Sequence, residues 1–435
     1  MYDELNTILI SYEQPDFETR LSDVRNAIIR EAWFLAGDKR REQVIEILRE
    51  VQQKGGEAVS NFTEKFDGVK LRPEQFRVTE QDLEKAHKEI DKDLLTAIRK
   101  AIDNVRKYQQ EVFTGNLRRP GIKYTPIERV GICVPGASAP LPSTVIMTAV
   151  PAKVAGVKYI SVVSPPRYNG SIHPVILAVC RELELDEVFR IGGAQAVAAL
   201  AFGVDDIILK VDKIVGPGNQ WVQTAKREVF GIVGIDSIAG PSEVLIIADK
   251  NANPAWVAAD MLSQAEHDPG SAFVFTDSPK LAKQALNEMQ MQIRQLKRAE
   301  RTFECLMKYA AIAVFQNIDD VIHEANDFAT EHLEIQCGSD SKKIADKIVN
   351  AGAIFIGDYS PVAVGDYWAG PSHTLPTGMT ARFFSPLSAN DFIKSTSIID
   401  YDQKKLAASS NDIIRLAQIE GLDAHAKSIS IRQKR

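Results

Sequence analysis

The spacing of apolar residues changes character near Arg129. Upstream, Val44, Ile45, Ile47, Leu48 and Val51 recur at helical intervals over residues 41–51. A longer run, residues 79–112, repeats Leu83, Ile90, Leu94, Leu95, Ile98, Ile102 and Val105 every three or four positions. Thr79 followed by Asp82 supplies an N-cap and an acidic first turn for it. From Arg129 onward, short β-rich apolar runs at 130–134, 159–163, 187–191, 213–215, 232–238 and 243–248 alternate with helical patterns at 142–155, 172–185 and 193–203. That alternation predicts a parallel sheet flanked by helices. A second α/β stretch follows: helix 254–266, strand 272–276, a charged helix 279–301, strand 310–315, helix 318–329, and strands 333–336 and 353–356. Residues 357–388 read as an ordered loop, and the chain closes on a helical tail from 404 to 420 and beyond.

Composition narrows the class. The chain has 435 residues, 45% of them hydrophobic, and 52 Lys+Arg against 58 Asp+Glu, for a formal charge of −6. The apolar content and small net charge exclude a disordered chain, and the length suits two or three domains. The mild acidity argues against a nucleic-acid binder and against a polybasic membrane patch. Cys133, Cys180, Cys305 and Cys337 lie far apart, with no CxxC pair and no disulfide framework, which favours a reducing compartment. With no basic-then-apolar leader at Met1, the expected address is the cytoplasm. Residues 130–152 carry no charge and are long enough to cross a bilayer. Pro135, Pro140, Pro142 and Pro151 interrupt them, so they read as strand, loop and helix, and no membrane association is expected.

No P-loop, G-x-G-x-x-G, H-E-x-x-H or G-x-S-x-G is present. The polar residues in turn-rich contexts are what remain. Asp260, Gln264 and His267 fall on one helical face, and a His three residues from a side-chain oxygen can share a metal ion with it. The same His also suits a helix C-terminus, where it favours the dipole. Glu331 and His332 sit at a helix-to-strand junction between Phe328 and Leu333. Such a pair can supply a general base and activate water, or be a solvated Glu beside a capping His. Asp366 and His373 lie in a loop with Gly-containing turns, where Asp366 is a candidate metal ligand or an Asx turn. Glu420 and His425, at the tail, carry no assignment alone. The turns Gly192-Gly-Ala-Gln195 and Gly216-Pro-Gly-Asn219 follow expected strands; their backbone donors suit a phosphate or ribose, or form ordinary βα turns. Gly240-Pro-Ser242 places a hydroxyl at a strand edge.

In order along the chain stand Pro135-Gly-Ala-Ser-Ala-Pro140, Gly192-Gly-Ala-Gln-Ala196, Val211-Asp-Lys-Ile-Val-Gly-Pro-Gly-Asn219, Ala239-Gly-Pro-Ser-Glu243, Ser263-Gln-Ala-Glu-His267, Glu331-His332-Leu333, Gly365-Asp-Tyr367, His373-Thr-Leu-Pro376, Ser385-Pro-Leu387 and the Glu420 to His425 tail. This series resembles the histidinol dehydrogenase family over most of the chain, most densely from Arg129 to the C-terminus. The resemblance implies an α/β fold of two incomplete Rossmann-like domains with small helical N- and C-terminal segments. The expected divisions are an arm over 1–25, a larger discontinuous domain of 26–129 with 243–387, a nucleotide-binding-like domain over 130–242, and a tail over 388–435.

The same resemblance implies a zinc enzyme that oxidises L-histidinol to L-histidine, the last step of histidine biosynthesis, in two NAD+-dependent steps through an aldehyde. Gln264, His267, Asp366 and His425 would be the zinc ligands and also touch substrate. Glu331 and His332 would be catalytic, and Ser242, His332 and Glu420 would add substrate contacts. Gln195 and Asn219 would contact NAD beside Cys133, a position where the family usually has Tyr. Thr330 and Ser372 likewise replace a common Pro and Asn. The resemblance also implies an intertwined homodimer whose C-terminal tail completes the neighbour's site. The rival readings are a related zinc and NAD enzyme for another small amino or sulfonated alcohol, a zinc hydrolase without NAD, and a silent metal-binding scaffold. Cobalt or manganese would suit the same ligand set.

Overall fold

Strand Ser242–Ala248 shows in one segment how the larger sheet is built. Val244, Ile246 and Ala248 enter one hydrophobic core, whereas Leu245 and Ile247 enter another on the opposite face. Its neighbour Gly270–Thr276 does the same, with Ala272 and Val274 on one side and Phe273 and Phe275 on the other. Strands buried on both faces read as continuous apolar runs, as parallel sheets covered by helices require. The computed structural model describes residues 2–32, 39–136, 140–267 and 269–433. Residues 137–139, the middle of the Pro135-to-Pro140 motif, lie outside the described residues.

The chain forms two units, Met1–Phe113 with Pro126–Phe392, and Thr114–Thr125 with Ile393–Arg435. The first holds two parallel sheets. With strands numbered in chain order, the six-stranded sheet is β1 (Leu9–Ser11), β10 (Ala310–Val314), β9 (Gly270–Thr276), β8 (Ser242–Ala248), β11 (His332–Gln336) and β12 (Ala353–Ile356), in that spatial order. The five-stranded sheet runs β5 (Glu187–Phe189), β4 (Tyr159–Val163), β3 (Arg129–Cys133), β6 (Lys213–Val215), β7 (Gly234–Ile235). The second unit pairs β2 (Ile122–Pro126) with β13 (Ile393–Ser397) and carries the helices Gln403–Ile419 and Asp423–Ser430. The molecule is thus a mixed α/β protein with parallel sheets. Among the described residues no helix is long and apolar enough to cross a membrane.

Several elements differ from the sequence pattern. The long helical run divides at Ile90, which is extended, because Asp91 caps a new helix Lys92–Val112 by accepting from the Leu94 N–H at 2.8 Å. The charged helix expected over 279–301 ends at Gln292. A separate helix, Ala299–Tyr309, buries Phe303, Cys305, Leu306 and Tyr309. The expected strand 232–238 shortens to Gly234–Ile235 at the sheet edge.

The expected grouping of residues 26–129 with the larger sheet gives way to a division. Val44, Ile47, Leu48, Val51 and Val59 pack into the core of the smaller sheet, against the alanine-rich helix Gly193–Phe202, whose small side chains admit them. Within residues 1–25, β1 pairs in parallel with β10, and Phe17 and Leu21 join the larger sheet's core. The tail boundary falls after Phe392, which is fully buried in the first unit.

Candidate active site

Ser242 opens β8 and His332 opens β11, and these strands are parallel neighbours with His332 in register with Val244. Their N-terminal ends therefore bring Ser242, Glu331 and His332 together. The helix Pro254–Ala265 follows β8 and returns to that end, where its last turn delivers Gln264 and the chain beyond it His267. The chain then doubles back closely. A Cβ at Gly270 would stand 2.2 Å from the Gln264 carbonyl oxygen, so only glycine fits. A short helix, Val362–Tyr367, adds Asp366. These side chains line one cavity of about 240 Å3 together with His373.

Glu331 and His332 are both buried. The turn before them is reached through Ala329, whose φ of 46° ends the helix Ile318–Phe328 in the left-handed region. A non-glycine residue there costs energy, and such strain collects at functional sites. Glu331 Oε2 accepts from the Ser242 hydroxyl at 2.7 Å and the Glu243 N–H at 2.9 Å, and stands 3.3 Å from His332 Nδ1. His332 Nδ1 lies 3.0 Å from the Glu243 carbonyl, which can only accept, so Nδ1 carries a proton. Nε2 is then the atom that gains or loses one. It is buried without a hydrogen-bond partner and lies 3.9 Å from Asp366 Oδ1.

Burial disfavours charge on both groups, but each offsets it for the other. Glu331 is held below its ordinary range by His332, Ser242 and the Glu243 amide. His332 is pushed up to about 9 by Glu331, Asp366 and the Glu243 carbonyl. Each group thus favours the charged form of the other. His373 is the opposite case: burial lowers its pKa, leaving a neutral imidazole whose Nε2 is also unpartnered. Its segment stood out in the sequence, but nothing local assigned His373 a role; its place beside Asp366, 4.0 Å away, is a tertiary fact.

The smaller sheet supplies the opposite wall through Gly216, Pro217 and Asp236. Strand order in that sheet reverses between β3 and β6, and ligands of open α/β sheets bind outside the carboxyl ends at such a point. Gly216 follows β6 there with φ 104°, and a Cβ on it would stand 2.4 Å from the Cys133 carbonyl oxygen. A buried ion pair clamps the turn. Lys226 Nζ contacts Asp236 Oδ1 and donates to the Gly216 carbonyl at 2.9 Å, and Asp236 Oδ2 accepts from the Gly216 N–H at 2.7 Å.

The residues assigned to NAD differ in availability. Gln195 is 1% exposed, and neither amide atom has a partner. The nearby sheet end also leaves the buried Ser164 hydroxyl unpartnered. Such orphaned groups are costly unless something arrives to satisfy them. Asn219 is exposed, and its Oδ1 caps the helix Gln220–Val229 by accepting from Trp221 and Val222. The Cys133 thiol is packed in the small-sheet core, where burial pushes its pKa up to about 12.

Among the described residues no three His, Cys, Asp or Glu side chains are gathered closely enough to hold a metal ion. The donors that share the cavity are an amide, an imidazole and a carboxylate, from Gln264, His267 and Asp366. Gln264 is buried with its Nε2 unpartnered. Amide O and N are interchangeable by a flip, so the unpartnered atom can equally be the oxygen, a metal donor. This donor chemistry fits a zinc ion short of its full ligand set. Glu420 and His425 belong to the second unit, where both are exposed.

Residues 35–433 match the sequence model of the family described as histidinol dehydrogenase. A histidinol dehydrogenase of Rhodopirellula baltica is 47% identical over 398 residues, covering 90% of this chain and 86% of its own. One from Heliobacterium mobile is 45% identical over 398 residues, covering 90% and 93%. The crystal structure of histidinol dehydrogenase from Elizabethkingia anophelis superposes with a TM-score of 0.88 at 34% identity, covering 98% of each chain.

Proposed function

The chain belongs to the histidinol dehydrogenase family of oxidoreductases, and from that premise we propose that it oxidises L-histidinol to L-histidine in two NAD+-dependent steps at a zinc-assisted site. The observation that carries this reading is the convergence of Ser242, Gln264, His267, Glu331, His332 and Asp366 on one cavity. Gln264, His267 and Asp366 would hold zinc together with His425. Gln195 and the Gly216 turn would hold NAD. When bound, zinc would act mainly as a template for the substrate's imidazole and amine, and NAD+ would accept the hydrides.

The chain's own residues carry the protons. His332, once neutral, takes the alcohol proton at Nε2, because Nδ1 is committed to the Glu243 carbonyl. Loss of that proton, together with departure of the carbinol hydride to NAD+, would give an aldehyde, which must add water before a second oxidation. Glu331, ionised and fixed by Ser242 and the Glu243 amide, removes a proton from that water. Ser242 thus positions Glu331 as well as reaching the cavity. Neutral His373, with a free Nε2 on the same cavity, is placed to hydrogen-bond substrate. Glu420 would add a further substrate contact.

Glu420 and His425 are exposed and belong to the second unit, whereas the cavity is lined by the first, which suits the intertwined homodimer in which each tail completes the neighbour's site. The four cysteines are buried as thiols, which suits a reducing compartment such as the cytoplasm.

The test is NADH formation by zinc-loaded protein on L-histidinol, with histidine counted as product. Two NADH per histidine is the expected result. NADH from another amino or sulfonated alcohol alone would move the substrate. Ester or amide hydrolysis without NAD would replace the reading with a hydrolase.

A further inference from the structure

One face of β11 carries three polar side chains in succession, His332, Glu334 and Gln336, and all three are buried. The other face, Leu333 and Ile335, is apolar core. His332 belongs to the active site. Glu334 and Gln336 meet Asp260, which projects from the helix Pro254–Ala265 one turn before Gln264. Gln336 Nε2 donates to Asp260 Oδ2 at 2.8 Å and to Glu334 Oε2 at 3.1 Å, and the two carboxyls hydrogen-bond each other. Glu334 Oε1 accepts from the Val362 N–H at 2.8 Å. Val362 opens the helix that carries Asp366.

We propose that Asp260, Glu334 and Gln336 are positioning residues, a buried polar strut tying the helix of Gln264 to the helix of Asp366 and so setting the spacing of the metal-binding side chains. The strut touches neither substrate nor the reacting atoms. It acts through two separate helices, which bring Gln264 and Asp366 to the same cavity. Two carboxyls in mutual hydrogen bond require one proton between them. Glu334 holds it, since burial and the neighbouring Asp260 push its pKa up to about 8. A protonated Glu334 donates to Asp260 with one oxygen and accepts from Val362 with the other. Glutamine keeps the donor toward Asp260 and the acceptor for Val362 and loses only the 3.1 Å contact from Gln336, so Glu334→Gln preserves both links between the helices. Alanine removes both links.

The inference rests on the proposed zinc role of Gln264, His267 and Asp366, and zinc affinity tests it directly. Apo protein is titrated with zinc against a fluorescent chelator at neutral pH. Glu334→Ala is expected to weaken zinc about 10–100-fold, the usual effect of losing an outer-shell partner, and Glu334→Gln to stay near wild type. Asp260→Ala and Asp260→Asn form a second such pair, on a less buried residue, should Glu334→Ala not fold. Leu286→Ala, a cavity in the same core, should lower the melting temperature without moving zinc affinity. Wild-type zinc affinity in folded Glu334→Ala or Asp260→Ala overturns the strut while leaving the proposed function intact. So does a Gln variant as weak as the Ala variant. A wild-type protein that binds no zinc overturns both.

Discussion

The Glu331–His332 pair behaves as one unit, because each charge is affordable in the interior only beside the other. Glu331→Gln and His332→Asn should each lower turnover by about 10²–10⁴-fold, the range of a general acid–base group. Glu331→Gln should slow aldehyde hydration more than the first oxidation. Steady-state rates with alcohol and with aldehyde check this, and unchanged rates in both would remove the pair from the chemistry. Glu243 makes a separate prediction. Its side chain is fully buried, with one oxygen held by the Gly378 N–H and the other unpartnered. Burial and then Glu331 raise it from 4.5 to about 8. The folded chain therefore keeps a proton that the unfolded chain loses. That stabilisation is complete below 4.5 and is lost as pH rises through about 8. Urea midpoints of wild type should fall from pH 6 to pH 9, and those of Glu243→Gln, neutral throughout, should fall less. Identical slopes would mean that Glu243 ionises normally.

Among elements, the turn after β6 is held by charge inside the protein. Lys226 is 1% exposed, and both Asp236 and the Gly216 carbonyl satisfy it. Lys226→Met leaves Asp236 buried and unpaired, which should cost about 3–5 kcal/mol. Adding Asp236→Leu should recover part of that loss, since an apolar pair needs no desolvation. Urea denaturation of the single and double variants measures the difference, and a single variant as stable as wild type would mean that Asp236 finds another partner. Local signals served well where caps and periodicity agree, as at Thr79, whose hydroxyl accepts from the Asp82 N–H at 3.1 Å. They failed where a cap inside a helical pattern restarts the helix, as at Asp91. They failed again at Leu9–Ser11, too short to show a period, which becomes a strand only because β10 offers it a parallel edge.

For the whole molecule, the tail poses the sharpest test. In an intertwined dimer, Glu331→Gln protein mixed and reassembled with His425→Ala protein forms hybrids in which one site has both residues intact. With random reassembly of a two-fold dimer, about a quarter of wild-type activity should return. A tail that serves its own chain's site gives no recovery, because no hybrid site then holds both. Activity of each parent alone, and of the mixture after unfolding and refolding, decides between them.

The parallel α/β class, most strand positions and the ordered motifs that contain Gln264, His267, Glu331, His332 and Asp366 are legible in the amino-acid order. Strand and helix periods, turn residues and short motifs are local properties, written within a few residues of one another. Only packing in three dimensions sets which end of the sheet lines the cavity. The cavity opens at the N-terminal ends of β8 and β11, against the carboxyl ends of the smaller sheet. Packing also decides the partners of Lys226, Glu243, Glu334 and His373. A buried charge or carboxyl is specified by what lies opposite it, and Asp260 and Gln336 stand 76 residues apart in the chain. No local pattern contains that distance; only the packing of the helix against β11 closes it.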